Sequence, residues 1–344
     1  MARRSVFELS RALQFFSDAG FFSICYNSST SLPLYYQYKA NGGLLLHNFI
    51  NEWFIANVAI KDNVSLVSSP VFCEGKTPRS SLSTATLQCY DELLSLNNGQ
   101  LPIGVASNGT CVNKCDMKVF EMNRPNEYTE CLVQYFVPQK SITDILHRME
   151  IDHLMWWKKM SNSKDFTPVR TEGGNLSSHI VYSSCHGDTT VESIDVSGPH
   201  VELANSPYII SSKISADVAV MVLLHDGYSE TQINDKVLQK LKFHQRLAPY
   251  KLGMMINGED TRDLTVVADY IKDELRKETI LIQTNINSLD SNRLLKVGVP
   301  YAISITDSTL KDGKVYLHNM YASVKEEVHV THIKERLVKY LKSA

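Results

Sequence analysis

The sequence predicts a mixed α/β (α+β) protein with two domains. Three observations lead to this prediction. Of the 344 residues, 43% are hydrophobic and 21% are charged, which is typical of globular rather than disordered proteins. From about Leu247 onward, strand-like and helix-like segments alternate regularly. The region before Leu247 shows a longer and less regular pattern. We therefore expect one domain over residues 1–245 and a second over 246–344.

Composition restricts the classes of partner and site. No apolar run approaches the roughly 20 residues that span a bilayer, so no membrane partner is expected. The net charge of −2 means that any nucleic-acid surface must be a local patch. The seven cysteines form no CxxC pair, and the closest two, Cys111 and Cys115, lack the four-ligand grouping of a zinc site, so free thiols are expected. The arginine-rich segment 1–16 fits a mitochondrial transit-peptide remnant or a first helix, and we favour the helix.

The elements of the first part are predicted from local patterns. Extended segments are expected at 34–38 and 64–71, and helices at 42–54, within 84–96, and at 141–160. The apolar run at 214–224 fits a buried strand or a buried helix, because periodicity alone does not separate the two. The polar segment 229–243 is expected to form a connecting helix.

The second part shows clearer periodicity. The helix predicted at 261–277 places apolar residues at helical spacing along one face, and a last helix is expected from about Thr331. A short helix is expected at 291–296, and Asp312-Gly313 between two extended runs predicts a tight hairpin turn with positive φ at Gly313. With strands at 250–256, 280–283, 301–305 and 314–318, the order β-α-β-α-β-β-α predicts a small mixed sheet covered by helices.

Three segments together resemble class IIa aminoacyl-tRNA synthetases. Residues 101–109 resemble the strand that enters motif 2 of that family, and residues 214–226 resemble its motif 3 helix. Residues 247–251 open a module similar to the anticodon-binding domain. The resemblance implies a class II synthetase-like antiparallel-sheet domain followed by an anticodon-binding-like mixed α/β domain.

The sequence resembles more narrowly the accessory subunits of mitochondrial DNA polymerase gamma, a degenerate branch of that family. The matching segments are 156–159 with Phe166, 246–251, 309–313 and the tail 325–344. The resemblance covers most of the chain from Tyr35 onward but is poor over 163–207. It implies a non-catalytic subunit, without a cofactor, that binds the polymerase catalytic subunit and primer-template DNA. Such a subunit raises processivity in mitochondrial DNA replication and resides in the matrix nucleoid.

The resemblance also identifies where catalytic residues would be. Class II synthetases hold the ATP phosphates with one arginine in motif 2 and one in motif 3, because fixed guanidinium groups stabilise the charge of the transition state. In this sequence the motif 2 arginine position is Asn113, with Cys115 in place of the acidic residue two positions on. The motif 3 position is Val218, after Asp217. Since one such contact is worth on the order of 3 kcal/mol, we expect no catalytic residues and no adenylate formation.

Other catalytic signatures are missing from the sequence. It contains no G-x-x-x-x-G-K-[ST] loop, no G-x-G-x-x-G after a strand, and no H-E-x-x-H or G-x-S-x-G motif. His147, Glu150 and His153 lie at i, i+3 and i+6 on a predicted helix, but a solvated helix face is favoured over a metal site. No metal ligands are therefore expected.

Two candidate binding surfaces remain. Trp157, Lys158, Lys159 and Lys164 place an aromatic ring beside cations, a pattern that fits DNA binding and equally a core tryptophan beside solvated lysines. The resemblance implies that the second domain docks the catalytic subunit. Two candidates for that contact, Asp312 and Gly313, belong to the predicted turn. The others each fit a core residue better than an interface residue, and they are Tyr250, Met254, Tyr316, His318 and Tyr321.

The segment before residue 101 bears on the oligomeric state. Vertebrate members of the accessory-subunit family dimerise partly through a long helical insertion at this place. Only about thirty residues separate Pro70 from Leu101 here, so the resemblance implies a 1:1 heterodimer with the catalytic subunit and no homodimer.

Two other functions are alternatives to that of a polymerase accessory subunit. They are a class II aminoacyl-tRNA synthetase and a tRNA-binding synthetase paralogue.

Overall fold

The computed structural model of the protein describes residues 2–26, 33–72, 77–113, 118–120, 122–123, 125–171, 176–233, 236–258, 261–287, 291–322 and 324–342. These residues form two larger β-sheets, of seven and five strands, with helices packed against both. The predicted α+β fold class is confirmed. No helix within the described ranges is long and apolar enough to cross a membrane.

The helices and strands are given in chain order. The helices are α1 (Ala2–Asp18), α2 (Ala40–Phe54), α3 (Ser83–Gln88), α4 (Tyr90–Leu96), α5 (Ile142–Met160), α6 (Ala216–Gly227), α7 (Thr261–Arg276), α8 (Ser291–Val297), α9 (Asp307–Asp312) and α10 (Ile333–Lys342). The strands are β1 (Phe22–Tyr26), β2 (Pro33–Tyr38), β3 (Val64–Leu66), β4 (Ile103–Val112), β5 (Lys118–Val119), β6 (Met122–Asn123), β7 (Glu127–Val137), β8 (Phe166–Thr171), β9 (Ser177–Ser184), β10 (Gly187–Ser197), β11 (Tyr208–Ser215), β12 (Tyr228–Ile233), β13 (Lys236–Leu241), β14 (Leu252–Asn257), β15 (Ile282–Asn287), β16 (Tyr301–Thr306), β17 (Lys314–Asn319) and β18 (Val324–His329). A π-helical turn, Ile55–Ala59, continues α2, and 3₁₀ turns lie at Gln139–Ser141 and Val330–His332.

The seven-stranded sheet has the order β3-β4-β7-β11-β10-β9-β8. β3 pairs parallel with β4, and the other neighbours pair antiparallel. Because side chains alternate along a strand, β11 sends Ile210 to a core that it shares with α2, α5 and α6, and Ile209 to the face covered by α4. α1 adds Phe16 to the first core, as the first-helix interpretation expects.

The apolar run at 214–224 divides between a strand and a helix. β11 ends at Ser215, which begins α6 as its N-cap, because the Ser215 hydroxyl oxygen accepts the backbone N–H of Val218. α6 contacts α2 as well as β7, β10 and β11. Almost every residue of α6 is therefore buried. Because a helix buried on all sides is apolar on all sides, its sequence shows no helical periodicity that would distinguish it from a buried strand.

The five-stranded sheet has the order β15-β14-β16-β17-β18 and is mixed. β14 pairs parallel with both β15 and β16, whereas β17 pairs antiparallel with β16 and β18. The periodic apolar faces of α7 and α10 pack on one side of this sheet, through Leu264, Ile271 and Leu337 among others. On the other side α8 covers Met255 and Ala302. The predicted small mixed sheet covered by helices is thus observed.

Two local predictions were wrong. Residues 229–243 do not form a helix, because β12 and β13 pair as an antiparallel hairpin. Its second strand and the residues that follow alternate with period two: Leu241 and Phe243 are buried and Lys242 is exposed.

A short helix, α9, separates β16 from β17 in place of the predicted tight turn. Gly313 ends that helix with φ of 68°, so its positive φ is confirmed.

The chain segment between the two sheets is clamped by hydrogen bonds. Asn48 of α2 donates its side-chain amide to the carbonyl oxygens of Leu247 and Ala248, at 3.2 and 2.9 Å. The Tyr321 hydroxyl donates to the carbonyl oxygen of Gly298 at 2.6 Å and accepts the backbone N–H of Phe243 at 3.2 Å. Both contacts tie residues of the first core to the segment that carries the second sheet.

Candidate functional site: motif positions and binding surfaces

Of the two arginine positions implied by the synthetase resemblance, one directly follows β4 and the other lies on α6. Val218 is 1% exposed in the first turn of α6, packed in the core. Asn113 follows β4, is exposed, and donates its backbone N–H to the carbonyl oxygen of Asn126. Cys115 lies outside the described residues. Neither described position carries a cation that could bind a phosphate.

The polar groups around Val218 are used for structure. The Asp217 carboxylate accepts the backbone N–H of Thr129 at 2.7 Å, which ties the start of α6 to β7. Nearby, the Glu130 carboxylate accepts the backbone N–H of Leu82 and the hydroxyl groups of Ser81 and Tyr128. These carboxylates bind protein donors within the fold.

An arginine that the sequence analysis did not single out lies beside β4. Arg79 donates from Nε to the carbonyl oxygen of Thr110 and from Nη1 to the carbonyl and hydroxyl oxygens of Ser69. Its donors therefore hold the segment around residue 79 against β4.

The DNA-binding assignment of Trp157 is corrected by the structure. Its ring is fully buried between Phe49 and Phe166, and Nε1 donates to the Glu192 carboxylate at 2.7 Å. Glu192 also accepts the hydroxyl of Ser212 and contacts His153. Burial acts to raise the pKa of Glu192, but the charge of His153 and these hydrogen bonds outweigh it and hold that pKa below its ordinary value. Trp157 is a core residue because it completes this buried network.

The helix face with His147, Glu150 and His153 was expected to be solvated, and this was wrong for two of the three residues. Glu150 is buried and pairs with Arg170 at 2.5 Å, while His153 is buried against Glu192. His147 remains largely exposed. Glu150 and His153 bind different partners, Arg170 and Glu192, so the three residues do not form one site.

The three predicted lysines lie at one end of α5. Lys159 and Lys164 are exposed and Lys158 is half-buried. The side-chain amide of Asn162 donates to the carbonyl oxygen of Lys242 at 2.6 Å, which brings the segment after β13 beside them. Burial is the largest cause that lowers the pKa of His244, and the positive charges of the nearby Lys159 and Arg246 lower it further. We name Lys158, Lys159, Lys164, Lys242 and Arg246 the cationic patch.

The polymerase-binding candidates divide between the two sides of the second sheet. Met254 is 4% exposed and belongs to the core with α7, and the hydroxyl of Tyr321 is hydrogen-bonded inside the junction described above. Both are therefore structural residues rather than parts of a free surface. Tyr250 is half-buried against α8, whereas Asp312 is exposed and Gly313 partly exposed at the end of α9.

Tyr316 and His318 lie on the opposite side of β17 from its buried residues Val315 and Leu317. His318 pairs across the strands with Lys325, and Tyr316 with Glu327. The Lys325 ammonium lies 4.2 Å from the centre of the Tyr316 ring, and His318 Nε2 is 2.9 Å from the Ser304 hydroxyl. We name Ser304, Tyr316, His318, Lys325 and Glu327 the outer face.

Comparison with known proteins gives a consistent relationship. DNA polymerase subunit gamma-2 of Mus musculus is 26% identical over 301 residues, covering 77% of this chain and 66% of that protein. DNA polymerase subunit gamma-2, mitochondrial, of Xenopus laevis is 23% identical over 301 residues, covering 77% and 65%. The chain is related in sequence to DNA polymerase subunit gamma-2. It therefore spans slightly less than two thirds of the length of these gamma-2 subunits.

The same comparisons show a more distant similarity to a class of tRNA ligases. The glycine–tRNA ligase of Borreliella burgdorferi is 21% identical over 321 residues, covering 79% of this chain and 71% of that protein. No protein-family model matches the chain. Both relationships that the sequence resemblance implied, to gamma-2 subunits and to synthetases, are thus observed, and the gamma-2 similarity is the stronger.

Proposed function

We propose that the chain is a non-catalytic accessory subunit of the mitochondrial DNA polymerase. It binds the catalytic subunit and primer-template DNA and raises the processivity of mitochondrial DNA replication. The similarity to DNA polymerase subunit gamma-2 carries this proposal, and the name of the Xenopus laevis relative supports a mitochondrial location, which we place in the matrix nucleoid. No cofactor is needed for this role.

The former synthetase activity is absent in this proposal for an energetic reason. Val218 is buried and apolar where motif 3 requires a guanidinium group, and Asn113 replaces the motif 2 arginine. Each lost contact to the developing charge costs on the order of 3 kcal/mol, and the two together remove about four orders of magnitude in rate. Beside Val218, the Asp217 carboxylate accepts the backbone N–H of Thr129, and Arg79 beside β4 donates to the carbonyl oxygen of Thr110.

We assign the two binding roles to two surfaces. The outer face is proposed to contact the catalytic subunit, together with Asp312 and Gly313 at its edge and the partly buried Tyr250. The cationic patch is proposed to contact the DNA backbone, since clustered lysine and arginine side chains release counterions from phosphates. In this arrangement residues 246–344 act as an anticodon-binding-like docking domain and residues 1–245 as the synthetase-like domain. One copy pairs with one catalytic subunit, without a homodimer.

Primer extension by the catalytic subunit, with and without this protein, tests the proposal. We expect longer products and greater salt tolerance in its presence. Unchanged product length and salt tolerance, at concentrations that saturate any binding, would contradict it.

Paired variants test the two surfaces separately. The double change Lys159→Ala, Lys164→Ala is expected to weaken DNA binding by the complex and reduce the salt dependence of binding, with Lys140→Ala as an exposed control outside the patch. Tyr316→Ala with His318→Ala is expected to weaken binding to the catalytic subunit at least about tenfold, or 1.4 kcal/mol. Tyr270→Ala, an exposed tyrosine on α7, serves as its control.

The similarity to glycine–tRNA ligases supports a second candidate function, that of an aminoacyl-tRNA synthetase or of a tRNA-binding synthetase paralogue. ATP–pyrophosphate exchange with glycine measures the first of these activities and tRNA retention the second. Exchange above background would show a working synthetase, whereas tRNA binding without any effect on primer extension would identify the paralogue.

A further inference from the structure

Three potential metal ligands meet at one end of α6. The ligand atoms of Cys185, His186 and His225 all lie within 4.8 Å of one another. Cys185 and His186 occupy the turn between β9 and β10, and His225 lies in the last turn of α6. The sequence analysis expected no metal site. Cys185 and His186 are far from His225 along the chain, and the fold brings them together.

The turn that carries two of these residues is held in one conformation. The Ser184 hydroxyl oxygen accepts the backbone N–H of His186 at 3.1 Å, and the hydroxyl donates to the carbonyl oxygen of Gly187 at 3.0 Å. Gly187 has φ of 110°, a conformation that side-chain-bearing residues rarely adopt. Cys185 and His186 are therefore presented from a defined turn.

The third residue is oriented by an aromatic ring and by a hydroxyl group. The His225 imidazole stacks on Phe120, with 4.5 Å between ring centres, and its Nδ1 is 3.1 Å from the Tyr182 hydroxyl oxygen. A metal-binding histidine commonly uses one ring nitrogen for the metal and the other for such a hydrogen bond, which leaves Nε2 of His225 for a metal.

We propose that Cys185, His186 and His225 form a binding site for a Zn²⁺-type transition-metal ion. One thiolate and two imidazoles are the donor types that Zn²⁺ prefers, and three protein ligands leave a fourth, solvent-facing position beside the exposed Cys185. The ion would join the β9–β10 turn to the end of α6. Seven residues of helix, about 10 Å, separate His225 from Val218, so the site is distinct from the motif 3 position.

Metal binding by the full-length, tag-free chain tests the proposal. Dialysis against ZnCl₂ followed by elemental analysis is expected to leave one zinc ion per chain. Co²⁺ in place of zinc is expected to show the visible absorption of a four-coordinate ion with a thiolate-to-metal charge-transfer band. Zinc is also expected to raise the unfolding temperature, since a ligand that binds only the folded state stabilises it.

Variants separate this site from chance binding. Cys185→Ser is expected to abolish the charge-transfer band. Loss of a residue that hydrogen-bonds a metal ligand weakens metal binding by roughly 10- to 100-fold, and loss of the Cys185 ligand itself is expected to weaken zinc binding by more than this. Tyr182→Phe is expected to weaken binding within that range. Cys89→Ser and the exposed His47→Asn are the controls, and both should bind zinc normally.

His225→Asn removes a partly buried ring, so the folding of this variant is checked by circular dichroism. Cys185 is exposed, so Cys185→Ser tests the site without changing a core residue. Substoichiometric zinc in the wild-type chain, or zinc binding that Cys185→Ser leaves unchanged, would overturn the proposal.

Discussion

The ammonium nitrogen of Lys251 donates a 2.8 Å hydrogen bond to the backbone carbonyl oxygen of Ala248. The same nitrogen donates to the carbonyl oxygen of Arg246 at 2.5 Å. Burial lowers the pKa of Lys251 to about 7, although the nearby Glu52 acts in the opposite direction. A largely buried amine thus holds the chain segment between the two sheets in its turn.

Replacing Lys251 with Met is expected to destabilise the protein at pH 9 by about 1–3 kcal/mol. The variant keeps the unbranched side chain but leaves the carbonyl oxygen of Arg246 without this donor. Urea denaturation measures the free energy of unfolding, and Lys311→Met, at an exposed position on α9, is the control. A loss equal to that of the control would show that the contact is not stabilising.

The effect of Lys251→Met is expected to depend on pH. Between the folded pKa of about 7 and the ordinary value of 10.5, the unfolded chain binds more protons at this group than the folded chain. The stability of the wild type relative to Lys251→Met should therefore rise as pH increases from about 7 toward 10. A difference that stays constant over this range would contradict the lowered pKa.

Tyr321→Phe is expected to destabilise the protein by about 1–3 kcal/mol. The change removes one hydroxyl that binds both the Gly298 carbonyl oxygen and the Phe243 N–H, and leaves these groups unpaired at the junction. Chemical denaturation measures the loss, with Tyr270→Phe as an exposed control. Equal stability of the two variants would show that the junction does not depend on this hydroxyl.

His244 is expected to contribute to acid sensitivity. Burial, and then the positive charges of Lys159, Arg246 and Lys251, lower its pKa to about 4. Below the ordinary value of 6.5 the unfolded chain gains a proton that the folded chain resists, so stability falls as pH drops from about 6.5 to 4. His244→Asn, measured on metal-free protein, should flatten this decline, whereas the exposed His47→Asn should leave it unchanged.

Gly313 ends α9 in a conformation that disfavours other residues. A Cβ at this position would lie 2.6 Å from Nε2 of His329, and φ is positive. Gly313→Ala is expected to cost about 1–2 kcal/mol, while Gly43→Ala in α2, where a Cβ meets nothing within 4 Å, should gain about 0.5–1 kcal/mol.

The bulkier Gly313→Glu is also expected to weaken binding to the catalytic subunit, because it strains the edge of the outer face. A pull-down of that subunit checks it. Undiminished recovery by a folded Gly313→Glu variant would remove this residue from the proposed interface.

Local periodicity predicted the elements with strong one-sided patterns. α7 and α10 were predicted because each buries one stripe of apolar residues, such as Leu264 and Leu337, against one side of a sheet. The hairpin of β12 and β13 was mistaken for a helix, because its polar, partly exposed strands lack a long apolar face. α9 was missed because it is a single short helix ending at the glycine that had indicated a turn.

Sequence alone also could not decide which side of an element a residue faces. Met254 and Met255 are adjacent and chemically identical, yet they lie on opposite faces of β14 under different helices. The sequence pattern around Trp157 fits DNA binding and the core equally, and in the structure Nε1 of Trp157 donates to the buried Glu192 carboxylate. The strand register and the packing of α5 decide these cases, and both depend on residues far apart in the chain.

By itself, the sequence determined that the chain is an α+β protein related to gamma-2 subunits, and its resemblance to synthetases implies that Asn113 and Val218 occupy the two arginine positions. These are properties of residue identity and local spacing, which need no tertiary information. Only the tertiary structure decided that the half-buried Tyr316 and His318 share one face of β17 and that Cys185, His186 and His225 converge. The reason is physical: strand pairing and helix packing bring together side chains from distant segments, and no local pattern records those distances.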